Sequence, residues 1–292
     1  MIETYIILAL ALVGLCLGSF AGAMVWRLRA RQLVEDKKEG EPVDAAELKR
    51  LKSLTKVKFS KDRSHCLHCG YELRWYDLIP LVSWLSLKGR CRNCHHAIGK
   101  MEPLIELGTA AFFVVSYLVW PFDLAQTSGV ALLAIWLAAG VGWAILFAYD
   151  ARWFLLPDRV NFAVIGLGLL SAGVTIAASQ DPLGAFFSTL ASVGILSGIY
   201  LVLFVVSKGQ WIGFGDVKLG IGLGLMLGDW QLAFLALFLA NLIGCFIALP
   251  LMIRKKLERT SHIPFGPLLI AGTVISQLWG LPLIESYFTL FM

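Results

Sequence analysis

The sequence predicts an all-α polytopic membrane protein of about eight transmembrane helices, with a small cytoplasmic zinc-knuckle-like subdomain between the first and second helices. Three observations predict it. The 292 residues are 58% hydrophobic and 15% charged, a membrane composition rather than that of a soluble core. Apolar runs recur at close to the length of one bilayer crossing, about 20 residues of helix. A single long polar stretch, residues 27–103, carries four of the six cysteines, set in two pairs.

The apolar runs are residues 5–26, 104–120, 129–147, 160–178, 183–206, 217–227, 230–253 and 264–281. The first lacks a basic segment before it and is followed by arginines instead of a small-residue cleavage site, so it reads as a retained span. The sixth has 11 residues, about 16 Å of helix against a hydrocarbon core of about 30 Å. Either Gly228-Asp229 is drawn into the membrane or Asp216 lies below its inner surface, where a carboxylate is costly and points to function. The chain divides into a first helix (1–26), a polar region (27–103) and a membrane domain (104–292).

Orientation follows from the 25 Lys and Arg residues. With residue 1 outside and the runs alternating, loops 27–103, 148–159, 207–216 and 254–263 face inward and hold nearly all of them. Loops 121–128, 179–182 and 228–229 and the tail after Leu281 hold none. The positive-inside tendency therefore places both termini outside. The net charge of +5 describes inward loops beside an anionic leaflet and requires no nucleic-acid partner.

Within 27–103, composition changes near Ser60. Residues 43–52 fit a short surface amphipathic helix in a charged stretch running from Arg29 to Lys61. Beyond it, Cys66, Cys69, Cys91 and Cys94 form C-x2-C-x21-C-x2-C, two thiolate pairs able to close a tetrahedron around zinc. The spacer slightly exceeds the usual range for zinc ribbons. Two disulfides are the alternative, disfavoured in a reducing inward location. His65, His68, His95 and His96 crowd the same turns but read as surface residues, since four thiolates complete a site. Cys16 and Cys245 read as small buried hydrophobes.

Asp150 and Asp216 fall at the inner ends of predicted helices, and alternation of the runs brings those ends to one side of the membrane. Close carboxylates share a proton, so one can activate water while the other polarises a peptide carbonyl. Asp216 can equally serve as an N-cap. Gly213 and Gly215 flank Phe214 and permit close approach of an extended substrate strand. Asp158 reads as an N-cap beside Pro157, and Glu106 as an anion in the first turn of the second span. Gly140, Gly142, Gly166, Gly168, Gly220, Gly222 and Gly224 allow close helix approach, either by a substrate helix or within the protein.

The ordered set Gly18-Ser19-Phe20 with Arg27-Leu28, the two cysteine pairs, Asp77 to Trp84, Pro103 to Glu106, Asp150 with Leu156-Pro157-Asp158, and Gly213 to Leu219 resembles the bacterial type IV prepilin peptidases, GxGD-type membrane aspartyl proteases. The resemblance implies a bacterial inner-membrane endopeptidase that cleaves type IV prepilins and related pseudopilins between a basic leader and a hydrophobic helix. It implies Asp150 and Asp216 as catalytic residues, the four cysteines as a metal-binding subdomain, and N-methylation of the new terminus with S-adenosylmethionine as methyl donor. Gly22 stands where the family usually has Asn, and Glu102 where it usually has an aromatic. An intramembrane protease of other substrates, a proton-coupled transporter and a zinc-bearing pilus-assembly scaffold are the competing classes.

Overall fold

The computed structural model describes residues 1–55, 63–254 and 263–291. The composition boundary near Ser60, the end of the charged stretch at Lys61 and most of loop 254–263 lie outside the described residues. Those residues form helices and short turns, with two isolated antiparallel bridges, His65 to Glu72 and Arg90 to Ala97. Two compact units result, Met1–Val114 and Val115–Met292.

In the first unit, α1 (Ile2–Glu39) runs 38 residues, roughly 57 Å at the usual rise. The first apolar run ends at Trp26, but no residue breaks the helix there. It ends at Gly40, whose φ of 83° supplies a left-handed cap. α2 (Ala45–Leu51) starts at Asp44, whose carboxylate accepts from the backbone N–H groups of Ala46 and Glu47 at 2.8 and 3.2 Å. This helix is docked on α1, with Leu51 and Leu54 buried and Glu47 held by Arg29 at 2.7 Å. It is the surface amphipathic helix expected from composition, with Leu51 packed against its neighbours and Ala45, Ala46, Lys49 and Arg50 exposed. α3 (Val82–Ser86) and α4 (Met101–Leu118) follow. Gly14 and Gly18 press on the α4 backbone, since a Cβ on either would lie 2.7 Å from the Cα of Ala110 or Glu106. Small residues four apart allow this approach.

In the second unit, α5 (Thr127–Trp153), α6 (Asp158–Ala178), α7 (Pro182–Val193), α8 (Ile199–Ser207), α9 (Phe214–Leu227), α10 (Trp230–Ile253) and α11 (Phe265–Phe291) pack side by side. α7 and α8 form one continuous segment joined by a π turn at Gly194–Gly198. Packing inverts the soluble pattern. α10 buries Ala233, Ala236 and Ala240 and exposes Phe234, Phe238 and Phe246, as expected where the surrounding solvent is hydrocarbon.

Seven of the eight apolar runs lie in helices long and apolar enough to cross a membrane. The eighth, α9, begins at Phe214 and has 14 residues, about 21 Å. Its glycines serve packing within the protein. A Cβ on Gly224 would lie 2.7 Å from Val193 Cα, and one on Gly222 2.9 Å from Val164 Cγ1. Gly142 and Gly168 are likewise filled by neighbouring helices, whereas Gly166 faces open space.

Candidate functional site

Two groups of side chains carry chemistry, one in each unit. In the first, residues 63–100 fold as two matching knuckles. The Gly70 N–H donates to Cys66 C=O at 2.9 Å, and the His95 N–H to Cys91 C=O at 3.0 Å. Both donors sit in the left-handed region, with φ of 72° and 55°. Gly70 adopts it freely, while His95 does so at a cost borne by the turn. The turns converge the Sγ atoms of Cys66, Cys69, Cys91 and Cys94 within 4.8 Å of one another. Cys66 and Cys94 are 3.9 Å apart at sulfur, and all six cysteines are free thiols. A Zn–S length of about 2.3 Å implies a tetrahedron edge of about 3.8 Å, so the donor set fits a zinc ion. As free thiols they do not ionise together. Burial pushes Cys66 up to about 12, while the Tyr71 backbone N–H and the Asn93 side chain help hold Cys69 down to about 6; a bound cation removes that disparity by taking all four as thiolates.

The knuckles are tied to their surroundings by carboxylates. Asp77, 3% exposed at its side chain, accepts from Arg92 Nε at 2.7 Å and from the Arg74 backbone N–H at 3.1 Å. Arg92 lies between Cys91 and Cys94, so Asp77 braces the second knuckle. Glu106, buried, accepts from the Leu81 N–H at 2.8 Å and holds that residue at a φ of 58°. It is the sixth residue of α4 rather than a first-turn anion, because the helix begins at Met101, upstream of the apolar run. His68 and His96 stack at 4.1 Å and are exposed, as is His95. Cys16 and Cys245 are exposed on their helices rather than buried, on faces suited to lipid.

In the second unit, Asp150 lies in the last turn of α5 and is 5% exposed. Its Oδ2 accepts from the Gly266 N–H at 2.9 Å. Gly266 is the second residue of α11, where helix N–H groups have no partner inside the helix. Asp216 is half-buried in the first turn of α9. The N-cap there is Gly213, so Asp216 stands three positions further in and turns its carboxylate back toward the Gly213 N–H.

Leu156 fills the space between the two supports. A Cβ on Gly215 would lie 2.9 Å from Leu156 Cβ, and one on Gly266 3.3 Å from Leu156 Cδ2. Asn161, fully buried, donates to Gly215 C=O at 3.4 Å. Asp158 is exposed and pairs with Lys218 Nζ at 2.6 Å. It is the first residue of α6, and Pro157 holds the cap position assigned to it from sequence. Lys218 also lies 5.1 Å from the ring centroid of Phe214, so this ion pair steadies the Gly213-Phe214-Gly215 approach to Asp216.

Gly266, Asn161 and Tyr200 are neighbours of the aspartates that sequence reasoning passes over, while Leu156 and Lys218 enter it only within the motifs of the resemblance. Gly266 had one visible signal, its place between Pro264 and Pro267 where an apolar run begins.

Fold and site together define a multi-pass membrane protein with carboxylates at the ends of two helices and a separate four-cysteine cluster that could hold a metal ion. Residues 12–120 match the bacterial peptidase A24 N-terminal domain, and residues 131–249 match the type IV leader peptidase family. The chain belongs to the type IV leader peptidase family. It is 32% identical over 283 residues to a prepilin leader peptidase/N-methyltransferase of Pseudomonas aeruginosa, covering 96% of this chain and 93% of that one. It is 31% identical to the protein of the same name from Stutzerimonas stutzeri, covering 97% and 93%. It is 35% identical to a type 4 prepilin-like proteins leader peptide-processing enzyme of Escherichia coli, covering 89% of each. No solved structure matches the chain.

Proposed function

We propose that this chain cleaves the basic leader from type IV prepilins and related pseudopilins at the cytoplasmic face of the bacterial inner membrane, with Asp150 and Asp216 as the catalytic pair. The observation that carries the reading is that the ends of α5 and α9 deliver the two carboxylates around Leu156, which lies against both Gly215, next to Asp216, and Gly266, which holds Asp150. Carboxylates brought close together favour one shared proton. The ionised carboxylate removes a proton from water as its oxygen attacks the scissile carbonyl carbon. The protonated one gives its proton to the carbonyl oxygen. On collapse of the tetrahedral adduct, the first returns its proton to the departing nitrogen as the C–N bond breaks, and the second is reprotonated by the adduct hydroxyl. The products are a free leader carboxylate and a new N-terminal amine.

Gly213, Phe214 and Gly215 line the approach of the substrate strand. Cys66, Cys69, Cys91 and Cys94 hold a structural zinc ion, which when bound staples the two knuckles. The names of the relatives, with the resemblance in the first-unit motifs, support methylation of the new amine with S-adenosylmethionine as co-substrate. Residues 27–103 face the cytoplasm, both termini face the periplasm, and the basic loops meet anionic lipid rather than nucleic acid. Purified protein incubated in detergent with a prepilin is expected to release a shortened pilin. A transporter or a scaffold yields none, and a full-length substrate after prolonged incubation with folded protein overturns the reading.

A further inference from the structure

Tyr200 stands out among the buried polar side chains. It is 3% exposed, and its hydroxyl has no hydrogen-bond partner among the described residues. A buried donor left unmade costs about 1–3 kcal/mol, a cost that a partner arriving with the substrate would remove. Its surroundings indicate which. The ring packs on Phe265 at 5.1 Å between centroids, and the next residue, Gly266, holds Asp150. One turn along α8, Phe204 packs on Phe214 at 5.3 Å, two residues before Asp216. The Tyr200 and Phe204 face of α8 thus bridges the first turns of α9, which carries Asp216, and α11, which holds Asp150 through Gly266. Tyr200 also lies within the field of Asp216.

Its placement is set by the π turn at Gly194–Gly198. Leu196 and Ser197 there meet α9 at Gly220, where a Cβ would collide with the Leu196 carbonyl and lie 3.0 Å from Ser197 Cα. Gly220 is one turn beyond Asp216. The wide turn therefore locks α8 onto α9 immediately before Tyr200, a local irregularity of the kind found at functional sites.

We propose that the Tyr200 hydroxyl is the donor that binds the scissile carbonyl oxygen and its tetrahedral adduct once substrate enters, completing the aspartate site. The inference rests on the assignment of Asp150 and Asp216 as the catalytic pair. The hydroxyl keeps its proton throughout and contributes a hydrogen bond that strengthens as charge develops on oxygen.

The test compares Tyr200→Phe, Asp150→Asn and Asp216→Asn as purified full-length proteins in detergent, with prepilin cleavage followed over substrate concentration. Tyr200→Phe is expected to lower kcat about 100-fold, the usual loss for one such donor, with KM within about threefold and an unfolding midpoint no lower than wild type. A purely structural role moves the midpoint and the active fraction instead. If Asp150→Asn and Asp216→Asn are inactive while Tyr200→Phe keeps wild-type kcat, the Tyr200 proposal falls and the aspartate pair stands. If the Asn variants cleave normally, the pair itself is wrong and Tyr200 loses its role with it. Should Tyr200→Phe not fold, 3-fluorotyrosine at position 200 retains the ring and strengthens the donor. A kcat altered at least about threefold at unchanged KM supports the proposal; an unaltered kcat overturns it.

Discussion

Replacing Gly266 by Ala sets two effects against each other. Gly266 is the second residue of α11, and Ala is a better helix former than Gly by about 1 kcal/mol, so helix propensity alone makes Gly266→Ala neutral or stabilising. The added Cβ, however, would stand 2.9 Å from Asp150 Oδ2 and 3.3 Å from Leu156 Cδ2. Asp150 is 5% exposed and Leu156 also lies against Gly215, so the Cβ is accommodated by displacing the Asp150 carboxylate tip from its seat. The contact forfeited is the 2.9 Å bond from the Gly266 N–H to Asp150. A hydrogen bond to a charged group contributes about 1.5–3 kcal/mol, so misplacing Asp150 by that much lowers kcat about 10- to 100-fold. Prepilin cleavage by purified protein, read as the shortened band on a gel with single-turnover rates, measures it, and the thermal midpoint is expected to move by only a few degrees. Wild-type kcat in a well-folded Gly266→Ala protein refutes the reasoning, because Asp150 then needs no fixed seat against α11.

Asp150→Asn and Asp216→Asn each preserve size but cannot share the proton, so each is expected to abolish nearly all cleavage and the double variant to cost little more. Asp158→Asn loses only the exposed pair with Lys218 and keeps measurable activity, as quantified in the same gel assay; a dead Asp158→Asn of normal stability contradicts this. Elemental analysis is expected to find about one zinc per chain, and Cys66→Ser or Cys91→Ser to open residues 63–100 to protease before the membrane helices loosen. A metal-free preparation fully protease-resistant in that region argues against a structural zinc. Cysteine labelling in intact cells is expected to reach positions 123 and 181 but not 49, and periplasmic access to position 49 reverses the orientation.

Features written locally in the chain were legible without a structure. Seven long apolar helices follow from hydropathy over windows of one span, and the four-cysteine cluster follows from two short Cys-x2-Cys turns. Asp150 and Asp216 were visible as carboxylates at the ends of apolar runs, and Gly213-Phe214-Gly215 as an unusual lead-in. The end of α1 was also present in the sequence as Gly40, but hydropathy ends at Trp26, because a helix leaving the membrane changes its side chains and not its backbone hydrogen bonding. The same limit hid the start of α4 at Met101, and with it the position of Glu106 beyond the first turn.

What only tertiary structure decided is which distant residues meet. Gly266 reaches Asp150 across 116 positions, Leu156 fits between Gly215 and Gly266, and Lys218 finds Asp158 across 60. Tyr200 is one aromatic in an apolar run until the π turn sets its angle against α9. Hydropathy reports whether a residue prefers lipid or water, averaged over a turn or more of helix. The partners of a buried polar atom depend on helix rotation and on which glycines admit a neighbouring backbone, and those are fixed by close packing among all the helices at once.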